Sequence, residues 1–372
     1  MTFNTRVSIL VSIMSTFTIR AAVIEDTEAK KIQRQIVIQN RMMRLLCENH
    51  LYLRIFPDDD CKFLFRFTYQ QMQQLVLLFG LKEKMFFQEN SRGKFSLSAI
   101  ESVAILLHRL SYSSRLGDLA IFFGRSESTL SPVFKELVCR LHLKFRAAMI
   151  FDYNQFKPEN LERFSNAIYR KCQRVQHCIG FIDGTFVKVA RPTDNQEQCY
   201  TGHYRAHGLK YQAVVTPDGI TSSFYGPVVG SHHDMFLYRE SRIETYMRNT
   251  FDFRHEHGPC YHLYGDLAYV SSEYMMHPFG NAPEDSPYHV FNMEMSRLCV
   301  SVEHEFSYVG NLFSFVKFVQ NQRLFLSPVA SHYIVATLLK NIYVCFNRGN
   351  QTSMKFNVLP PIPQNYVYGL LH

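Results

Sequence analysis

One carboxylate interrupts an apolar run in Cys178-Ile179-Gly180-Phe181-Ile182-Asp183-Gly184-Thr185-Phe186. A buried strand gains nothing from a charge at this position, because an unpaired buried carboxylate costs free energy. Such an acid normally has a partner, and a metal ion is one of the few partners that can offset the cost. The chemistry of the protein therefore depends on which other carboxylates meet Asp183.

The segments around this run alternate between strand and helix patterns. In chain order they predict three strands, a helix, a short fourth strand and a long helix, at residues 178–189, 210–216, 220–228, 234–248, 262–266 and through 302–316. Asp183 lies on the first strand, Asp266 ends the fourth, and Glu303 lies on the last helix. This order is the layout of ribonuclease-H-like nucleases and transposases. We therefore expect an α/β fold, a ribonuclease-H-like catalytic core with a mixed sheet flanked by helices.

Asp183, Asp266 and Glu303 are the expected catalytic residues. Carboxylates of this kind hold Mg²⁺ or Mn²⁺ through oxygen ligands. Two such ions, about 3.5–4 Å apart, activate a water or a 3′-hydroxyl and stabilise the leaving oxygen of a phosphodiester. Each acid also has a simpler explanation, since Asp183-Gly184 and Asp266 fit turns and Glu303 fits a solvated helix surface. Their joint occurrence in this order favours the metal site.

The first half of the sequence has helical patterns. Thr68 and Gly80 flank one predicted helix, and Ser98-x-x-Glu101 is a capping box at the start of the next. Two further helices are predicted, one from near Ser114 and one over about 127–143. We expect a leader over 1–30, a helical region over 31–160, a nuclease domain over 176–346 and an extended tail over 347–372.

The helices over about 97–143 suit a helix-turn-helix DNA-binding unit. The last of them would direct polar and basic side chains outward near its amino end, where such folds contact bases and phosphates: Arg125, Ser126, Ser128, Thr129, Ser131 and Lys135. Spacing alone favours an ordinary three-helix bundle with a capped helix. The pattern by itself leaves both interpretations open.

Composition narrows the class of protein. The chain has 372 residues, of which 47% are hydrophobic, so it can bury a sizeable core. Its net charge of +8 favours a polyanionic partner, although a solvated basic surface explains the charge equally well. The nine cysteines include no C-x-x-C pair, which argues against a disulfide framework and a zinc knuckle. No segment after the leader reaches the roughly 20 apolar residues of a membrane span.

The sequence around the acids resembles that of the PIF/Harbinger transposases and their domesticated, transposase-derived nucleases. Five blocks over roughly 179–313 carry the resemblance: Gly180-Phe181-Ile182-Asp183-Gly184-Thr185, the basic run 200–215, Pro217-Asp218-Gly219 with Gly226-Pro227 and Gly230-Ser231-His232-His233-Asp234, Gly265-Asp266-x-x-Tyr269, and Ser301-Val302-Glu303-x-x-Phe306. Leu116-Gly117-Asp118-Leu119 also resembles the DNA-binding region of this family, which favours the helix-turn-helix interpretation. Residues 270–295 depart from the pattern and are predicted to be irregular.

The resemblance implies a divalent-metal nuclease acting on double-stranded DNA, with Asp234 as a fourth metal-site acid beside Asp183, Asp266 and Glu303. Ser231-x-x-Asp234 also fits a capping box, which would explain Asp234 without a metal. The resemblance further implies a nuclear protein that works with a separate Myb-like DNA-binding protein. Basic residues near the acids would follow phosphates, unless they form an ordinary solvated loop: Lys188, His203, Arg205, His207 and Lys210.

Three functions compete. The first is a metal-dependent DNA endonuclease or transposase that cuts at transposon ends. The second is a domesticated DNA-binding protein on the same fold with little or no cleavage, against which the presence of four acids argues. The third is a metal phosphohydrolase built on His233-Asp234, which would need its ligands on a helical scaffold, whereas this motif lies among strands.

Overall fold

The computed structural model describes residues 33–35, 37, 38, 53, 56–89, 93–251 and 260–371. The predicted leader, residues 1–30, lies outside the described residues. The chain divides into two compact units. The first comprises residues up to 76 together with 82–109 and 114–134, and the second comprises 77–81, 110–113 and 135–372.

The described chain up to residue 150 is mostly helical, as the sequence predicts. Its helices are α1 (Asp58–Phe65), α2 (Tyr69–Leu78), α3 (Ala99–Ser111), α4 (Leu116–Phe123) and α5 (Glu127–Ile150). Two antiparallel strands, β1 (Lys84–Phe87) and β2 (Phe95–Ser98), interrupt the predicted helical region. They form because exposed and buried residues alternate along β1, where Met85 and Phe87 are buried, and this period of two belongs to a strand.

The predicted start and stop signals of these helices are confirmed. Thr68 Oγ1 accepts a hydrogen bond from the Gln71 backbone N–H at 3.1 Å, and Gln71 Oε1 accepts one from the Thr68 N–H at 2.9 Å, which together form a capping box. Gly80 has φ +63°, a conformation that suits glycine after a helix. Ser98 Oγ accepts from the Glu101 N–H at 3.3 Å at the start of α3.

Three helices occupy the region of the predicted helix-turn-helix unit, namely α3, α4 and α5. The apolar residues that recur at helical spacing on α5 are all buried: Leu130, Phe134, Leu137 and Leu141. Helix α5 continues to Ile150, beyond the predicted end at residue 143. The helices are thus as expected, while their role as a DNA-binding unit remains a prediction.

The second unit is built on a mixed six-stranded sheet. Its strands are β3 (Cys178–Lys188), β4 (Tyr200–Thr201), β5 (Ala206–Val215), β6 (Thr221–Val229), β7 (His262–Tyr264) and β8 (Met275–Met276). The order across the sheet is β4-β5-β3-β7-β8, and β6 also pairs with β5. Strand β3 is central, because it pairs antiparallel with β5 and parallel with β7. The mixed sheet and its helices confirm the predicted α/β class.

Helices cover both faces of this sheet. They are α6 (Pro158–Tyr169), α7 (Gln196–Cys199), α8 (Asp234–Ser241), α9 (Ile243–Thr250), α10 (Pro287–Leu312), α11 (Val329–Phe346), α12 (Gln351–Phe356) and α13 (Pro363–Gly369). Tyr211 and Gln212 are neighbours on β5 and point to opposite faces. The Tyr211 ring stacks on Tyr333 of α11 at 4.8 Å, whereas Gln212 Nε2 donates to Ser241 Oγ of α8 at 3.1 Å. Helices α8 and α11 therefore lie on opposite faces.

The single helix predicted over 234–248 is wrong. The structure has two helices there, α8 and α9, with Arg242 between them in the left-handed region at φ 53°. A residue in the left-handed conformation is a common end of an α-helix, and the Arg242 N–H bonds back to the Arg239 carbonyl of the last turn. Ser241 Oγ accepts from the Ile243 N–H at 3.3 Å and thereby caps the start of the second helix.

The prediction of irregular structure over 270–295 is also wrong in its last part. Helix α10 begins at Pro287, with Ser286 as its N-cap, and Ser286 Oγ accepts from the His289 N–H at 3.1 Å. A serine N-cap followed by proline at the first helical position is a common start signal. The acid-bearing helix is therefore longer at its amino end than the apolar periodicity from Val302 onward indicates.

The predicted extended tail over 347–372 is wrong except for a short proline-rich stretch. Helices α12 and α13 occupy half of it, and residues 358–362 between them lack regular structure. Asn350 and Ser353 form a capping box at the start of α12. Tyr366 on α13 is buried, and its hydroxyl accepts from Asn341 Nδ2 at 2.7 Å. These buried polar contacts tie the segment to α11, which is why it does not lie free on the surface.

Helix α11 (Val329–Phe346) has the length and apolar composition of a membrane span, but 83% of it is buried inside the protein, as expected for a core helix. It carries one buried charge, Lys340, whose Nζ lies 2.8 Å from Glu305 Oε2 on α10. Glu305 Oε1 also accepts from Asn350 Nδ2 and Thr352 Oγ1, both at 2.7 Å. Pairing and hydrogen bonding of this kind make a buried charge tolerable.

Candidate active site

Asp183 lies at the position where the central strand β3 begins to be less deeply buried. Its Oδ1 accepts from the Gly184 backbone N–H at 2.7 Å, which favours the charged form. Burial outweighs this bond and raises the pKa of Asp183 to about 7, with further increases from the charges of Asp266, Glu303 and Asp234. The four acids that the sequence singles out are therefore close enough to interact electrostatically.

Asp266 is brought to Asp183 by the parallel pairing of β3 and β7. Phe181 pairs with Tyr264, so Asp183 lies two residues further along β3, and Asp266 lies two residues beyond Tyr264, just after the end of β7. Gly265 allows this approach, because a Cβ at that position would lie 3.1 Å from Ile182 Cγ2 on β3. The Asp266 side chain is exposed, and its Oδ1 accepts from the Ala268 N–H at 2.9 Å.

Glu303 lies on α10, a helix that contacts β3. It is exposed, whereas the preceding residue, Val302, is buried. The other glutamate of this turn, Glu305, points away into the core and pairs with Lys340. Residues two apart on a helix face different directions. Glu303 therefore occupies a surface position near the other acids, and Glu305 occupies a structural position in the core.

Asp234 is the first residue of α8, and the predicted capping box with Ser231 is wrong. The N-cap residue is His233, and no side chain caps this helix end, because the helix begins two residues later than the box requires. Asp234 Oδ1 instead lies 3.1 Å from Lys210 Nζ on β5. It also lies against β3, since a Cβ at Gly184 would be 2.7 Å from the same oxygen.

Two further side chains lie near the acids and were not assigned a role from the sequence. Burial, and then the charges of Asp183 and Asp266, raise the pKa of the Cys299 thiol. Burial and the charges of Asp183, Asp234 and Asp266 likewise raise the pKa of Tyr269, whose buried hydroxyl has no hydrogen-bond partner among the described residues. Cys299 stands one helical turn before Glu303, and this i, i+4 spacing is a signal that could have found it.

The donor set suits a hard divalent cation, since carboxylate oxygens are the ligands that Mg²⁺ and Mn²⁺ prefer. Burial raises the pKa of Asp183, the negative charges of Asp266, Glu303 and Asp234 raise it further, and a bound cation would favour its charged form. Within the described part of the chain, no three His, Cys, Asp or Glu side chains stand close enough together to form a ready-made metal site. The side-chain chemistry of the acids therefore suits a metal ion, but the carboxylates would have to move closer together to bind it.

The predicted basic residues of the second unit lie in different settings. Lys188 is exposed at the end of β3, and His203 and Arg205 are exposed in the turn between β4 and β5. The half-buried His207 ring contacts Tyr200 edge-on, with ring centroids 5.4 Å apart. Lys210 is held by Asp234. Lys188, His203 and Arg205 thus present charge or hydrogen-bond donors to solvent, and their contacts with phosphate remain a prediction.

The predicted DNA contacts of the first unit cluster at the start of α5. Arg125 makes two hydrogen bonds to the Glu101 carboxylate, at 2.9 and 3.2 Å. Ser126 Oγ shares hydrogen bonds with Ser128 Oγ at 2.8 Å and with Thr129 Oγ1 at 3.0 Å. Lys135 is exposed one turn or more further along the helix. Their role in DNA binding remains a prediction.

Comparison with known proteins gives one family. No curated protein and no solved structure matches the chain. Residues 182–347, somewhat less than half of the chain, match the family model of the DDE superfamily endonucleases. This segment begins one residue before Asp183 and contains Asp234, Asp266 and Glu303 as well. The part of the chain that contains the four acids is therefore similar to the DDE superfamily endonucleases.

Proposed function

We propose that this protein is a divalent-metal-dependent DNA endonuclease or transposase of the Harbinger type, which hydrolyses phosphodiester bonds at transposon-end sites. The observation that carries the proposal is the meeting of Asp183 with Asp234, Asp266 and Glu303 inside the segment similar to DDE endonucleases. Three like charges around the partly buried Asp183 destabilise the metal-free protein. A bound cation would relieve this repulsion.

Asp183, Asp266 and Glu303 would hold Mg²⁺ or Mn²⁺ in a two-metal arrangement, with Asp234 as a further ligand. The metal would supply Lewis-acid stabilisation of charge on the phosphate and lower the pKa of the attacking water. Asp183, on the central strand β3, fixes the position of the site, while Asp266 and Glu303 are exposed and approach it from beyond a strand end and from a helix.

The basic side chains around the acids would hold the DNA backbone. Lys188, His203 and Arg205 are exposed, and no acidic residue occurs between Glu197 and Asp218. Such a segment attracts phosphate without reading sequence. The helices over 97–143 would add DNA contacts through Arg125, Ser126 and Lys135. As in the resembling family, we expect a nuclear protein that acts with a Myb-like DNA-binding protein.

A second function is favoured by the Lys210–Asp234 ion pair. The Lys210 ammonium group neutralises one of the four acids at 3.1 Å, so that the site loses part of its attraction for a cation. A domesticated protein that binds DNA with weak or no cleavage would tolerate this pairing. The two functions differ in whether the acids are needed for a chemical step.

Cleavage of supercoiled and end-labelled DNA in Mg²⁺ or Mn²⁺ tests the proposal. Asp183→Asn, Asp266→Asn and Glu303→Gln keep the shape of each side chain and remove its charge, and each should abolish metal-dependent cleavage while DNA binding in a gel-shift assay persists. Glu240→Gln, an exposed acid of α8, is the matched control and should cut like the wild type. Equal cleavage by all variants would overturn the nuclease assignment. Binding without any metal-dependent cleavage by the wild type would establish the DNA-binding function instead.

A further inference from the structure

Phe186, three residues after Asp183 on β3, lies in a slot made by two glycines. A Cβ at Gly208 would be 2.2 Å from Phe186 Cζ, and a Cβ at Gly230 would be 2.7 Å from Phe186 Cε2. Any side chain at either position would collide with the ring. The backbone of the sheet therefore packs against the Phe186 ring and fixes its orientation.

Tyr204 stacks on this fixed ring. The two ring centroids are 4.4 Å apart and the planes differ by 2°, which is a parallel stack. Tyr204 belongs to the turn between β4 and β5, and 45% of its side chain is exposed. The exposed Tyr204 ring is therefore held in a defined position on the sheet, because the orientation of its stacking partner, Phe186, is fixed.

The ring pair lies beside Lys210 and Asp234. Phe186 pairs with Lys210 across β3 and β5, and Lys210 Nζ lies 3.1 Å from Asp234 Oδ1. Burial, and then the charges of Asp234 and Asp183, raise the pKa of Tyr204, which places its ring within electrostatic range of both carboxylates. The neighbours of Tyr204 in the chain, His203 and Arg205, are exposed hydrogen-bond donors for a phosphate.

We propose that Phe186 and Tyr204 form a stacking platform for an unpaired nucleobase next to the phosphodiester that is cleaved at the acids. The inference rests on the proposed function and adds to it a substrate class: DNA with at least one base out of the duplex stack at the cleavage site. Every base has a π face and can stack on an aromatic ring, whereas a base inside a duplex has both faces covered. The positive and acid-free segment around Tyr204 fits a nucleic acid better than an apolar protein surface.

The test uses binding without cleavage. A single-stranded oligonucleotide, a matched duplex and a duplex with one unpaired base, each carrying 2-aminopurine at that base, are titrated in EDTA. The wild type should quench the fluorescence of the single strand and of the unpaired base, and should bind both more tightly than the matched duplex. Tyr204→Leu should lose the quenching and weaken single-strand binding about tenfold. Tyr204→Phe keeps the ring and should behave like the wild type.

Tyr368→Leu on α13 is the matched control, because it removes an exposed tyrosine at another place and should change nothing. Wild-type quenching and affinity in Tyr204→Leu would overturn the platform. A change in the oligomeric state of Tyr204→Leu by size-exclusion chromatography, with DNA binding unaltered, would overturn it in favour of a contact between copies. Failure of metal-dependent cleavage would remove the nuclease function but leave this binding result intact, so the two proposals fail separately.

Discussion

Lys210 and Asp234 form an ion pair between β5 and α8, with Lys210 Nζ 3.1 Å from Asp234 Oδ1. The side chains are 15% and 29% exposed, so solvent screens the pair only in part. Lys210 is expected to bind phosphate and Asp234 is expected to bind metal, so this contact joins the two expected functions. Cation binding at Asp234 and release of Lys210 toward DNA would therefore be coupled events.

Replacing Lys210 by glutamine should strengthen divalent-cation binding. The substitution removes one positive charge from the immediate neighbourhood of Asp234, so we expect Mn²⁺ affinity to rise by about threefold to tenfold, as measured by isothermal titration calorimetry. Lys188→Gln removes an exposed charge from the end of β3 and should leave the affinity almost unchanged. A loss of affinity in Lys210→Gln, or the same gain in an Asp234→Asn background, would show that the pair does not control the site.

The two glutamates of α10 should respond differently to loss of charge. Glu305→Gln leaves Lys340 buried and unpaired, and we expect the free energy of unfolding to fall by about 3–5 kcal/mol in urea denaturation. Glu303→Gln changes an exposed side chain and should alter stability by less than about 0.5 kcal/mol.

The double variant Glu305→Gln/Lys340→Met is the control for the buried pair. It removes both charges together and should be more stable than Glu305→Gln alone, because no unpaired charge remains in the core. If Glu305→Gln and Glu303→Gln lost the same stability, the assignment of the core position to Glu305 would be wrong.

Asp152 should make stability depend on pH. It is buried, and burial raises its pKa to about 7 despite hydrogen bonds from the Asn154 and Gln155 N–H groups. Below about pH 4 the folded and unfolded chains both bind the proton. Between about pH 4 and 7 the unfolded chain loses it and the folded chain keeps it, so the free energy of unfolding falls by about 4 kcal/mol in total.

The substitution Asp152→Asn should remove this part of the pH dependence, since asparagine keeps the accepting oxygen and cannot ionise. Urea denaturation at pH 5 and pH 8 measures the difference, and the loss between the two values should be smaller in Asp152→Asn than in the wild type. An equal loss in both proteins would assign the pH dependence to other carboxylates, of which the buried Asp218 is the nearest whose pKa is also raised by burial.

Gly184→Ala should disturb the site while all four acids stay in place. A Cβ there would lie 2.7 Å from Asp234 Oδ1, so the carboxylate must move away from β3. We expect a stability loss of about 1–3 kcal/mol by thermal denaturation and a clear loss of metal-dependent cleavage. Gly202→Ala is the matched control, because a Cβ there meets no described heavy atom within 4 Å. Full cleavage by Gly184→Ala would exclude Asp234 from the site.

The strands and the order of the acids could be predicted because local sequence determines them. The apolar run before Asp183 gives β3 almost its observed bounds, 178–188, since burial of one long central strand demands continuous apolar residues. The amino end of β5 was missed: Ala206 to Leu209 include His207 and Gly208, and only pairing with β3 and β4 makes this segment a strand.

The contacts of the acids could not be predicted because they depend on tertiary packing. Nothing local in the sequence pairs Lys210 with Asp234, residues 24 apart, or sends Glu305 rather than Glu303 into the core. The break at Arg242 was also hidden, since arginine has no preference for the left-handed region and is held there by its surroundings. Sequence periodicity predicted the helices, whereas tertiary packing determines where they end.

The hydrogen bonds of Glu305 affect how the chain folds during its synthesis. The buried Glu305 carboxylate accepts from Asn350 and Thr352, which lie 45 and 47 residues further along the chain. During synthesis α10 leaves the ribosome well before these partners do, and domains fold as units when their parts are available. The sheet and the acids can therefore assemble early, but the packing of the core is completed only after α12 has left the ribosome. A chain released near residue 347, where the DDE similarity ends, would carry a half-satisfied buried carboxylate and become a substrate for chaperones and proteases.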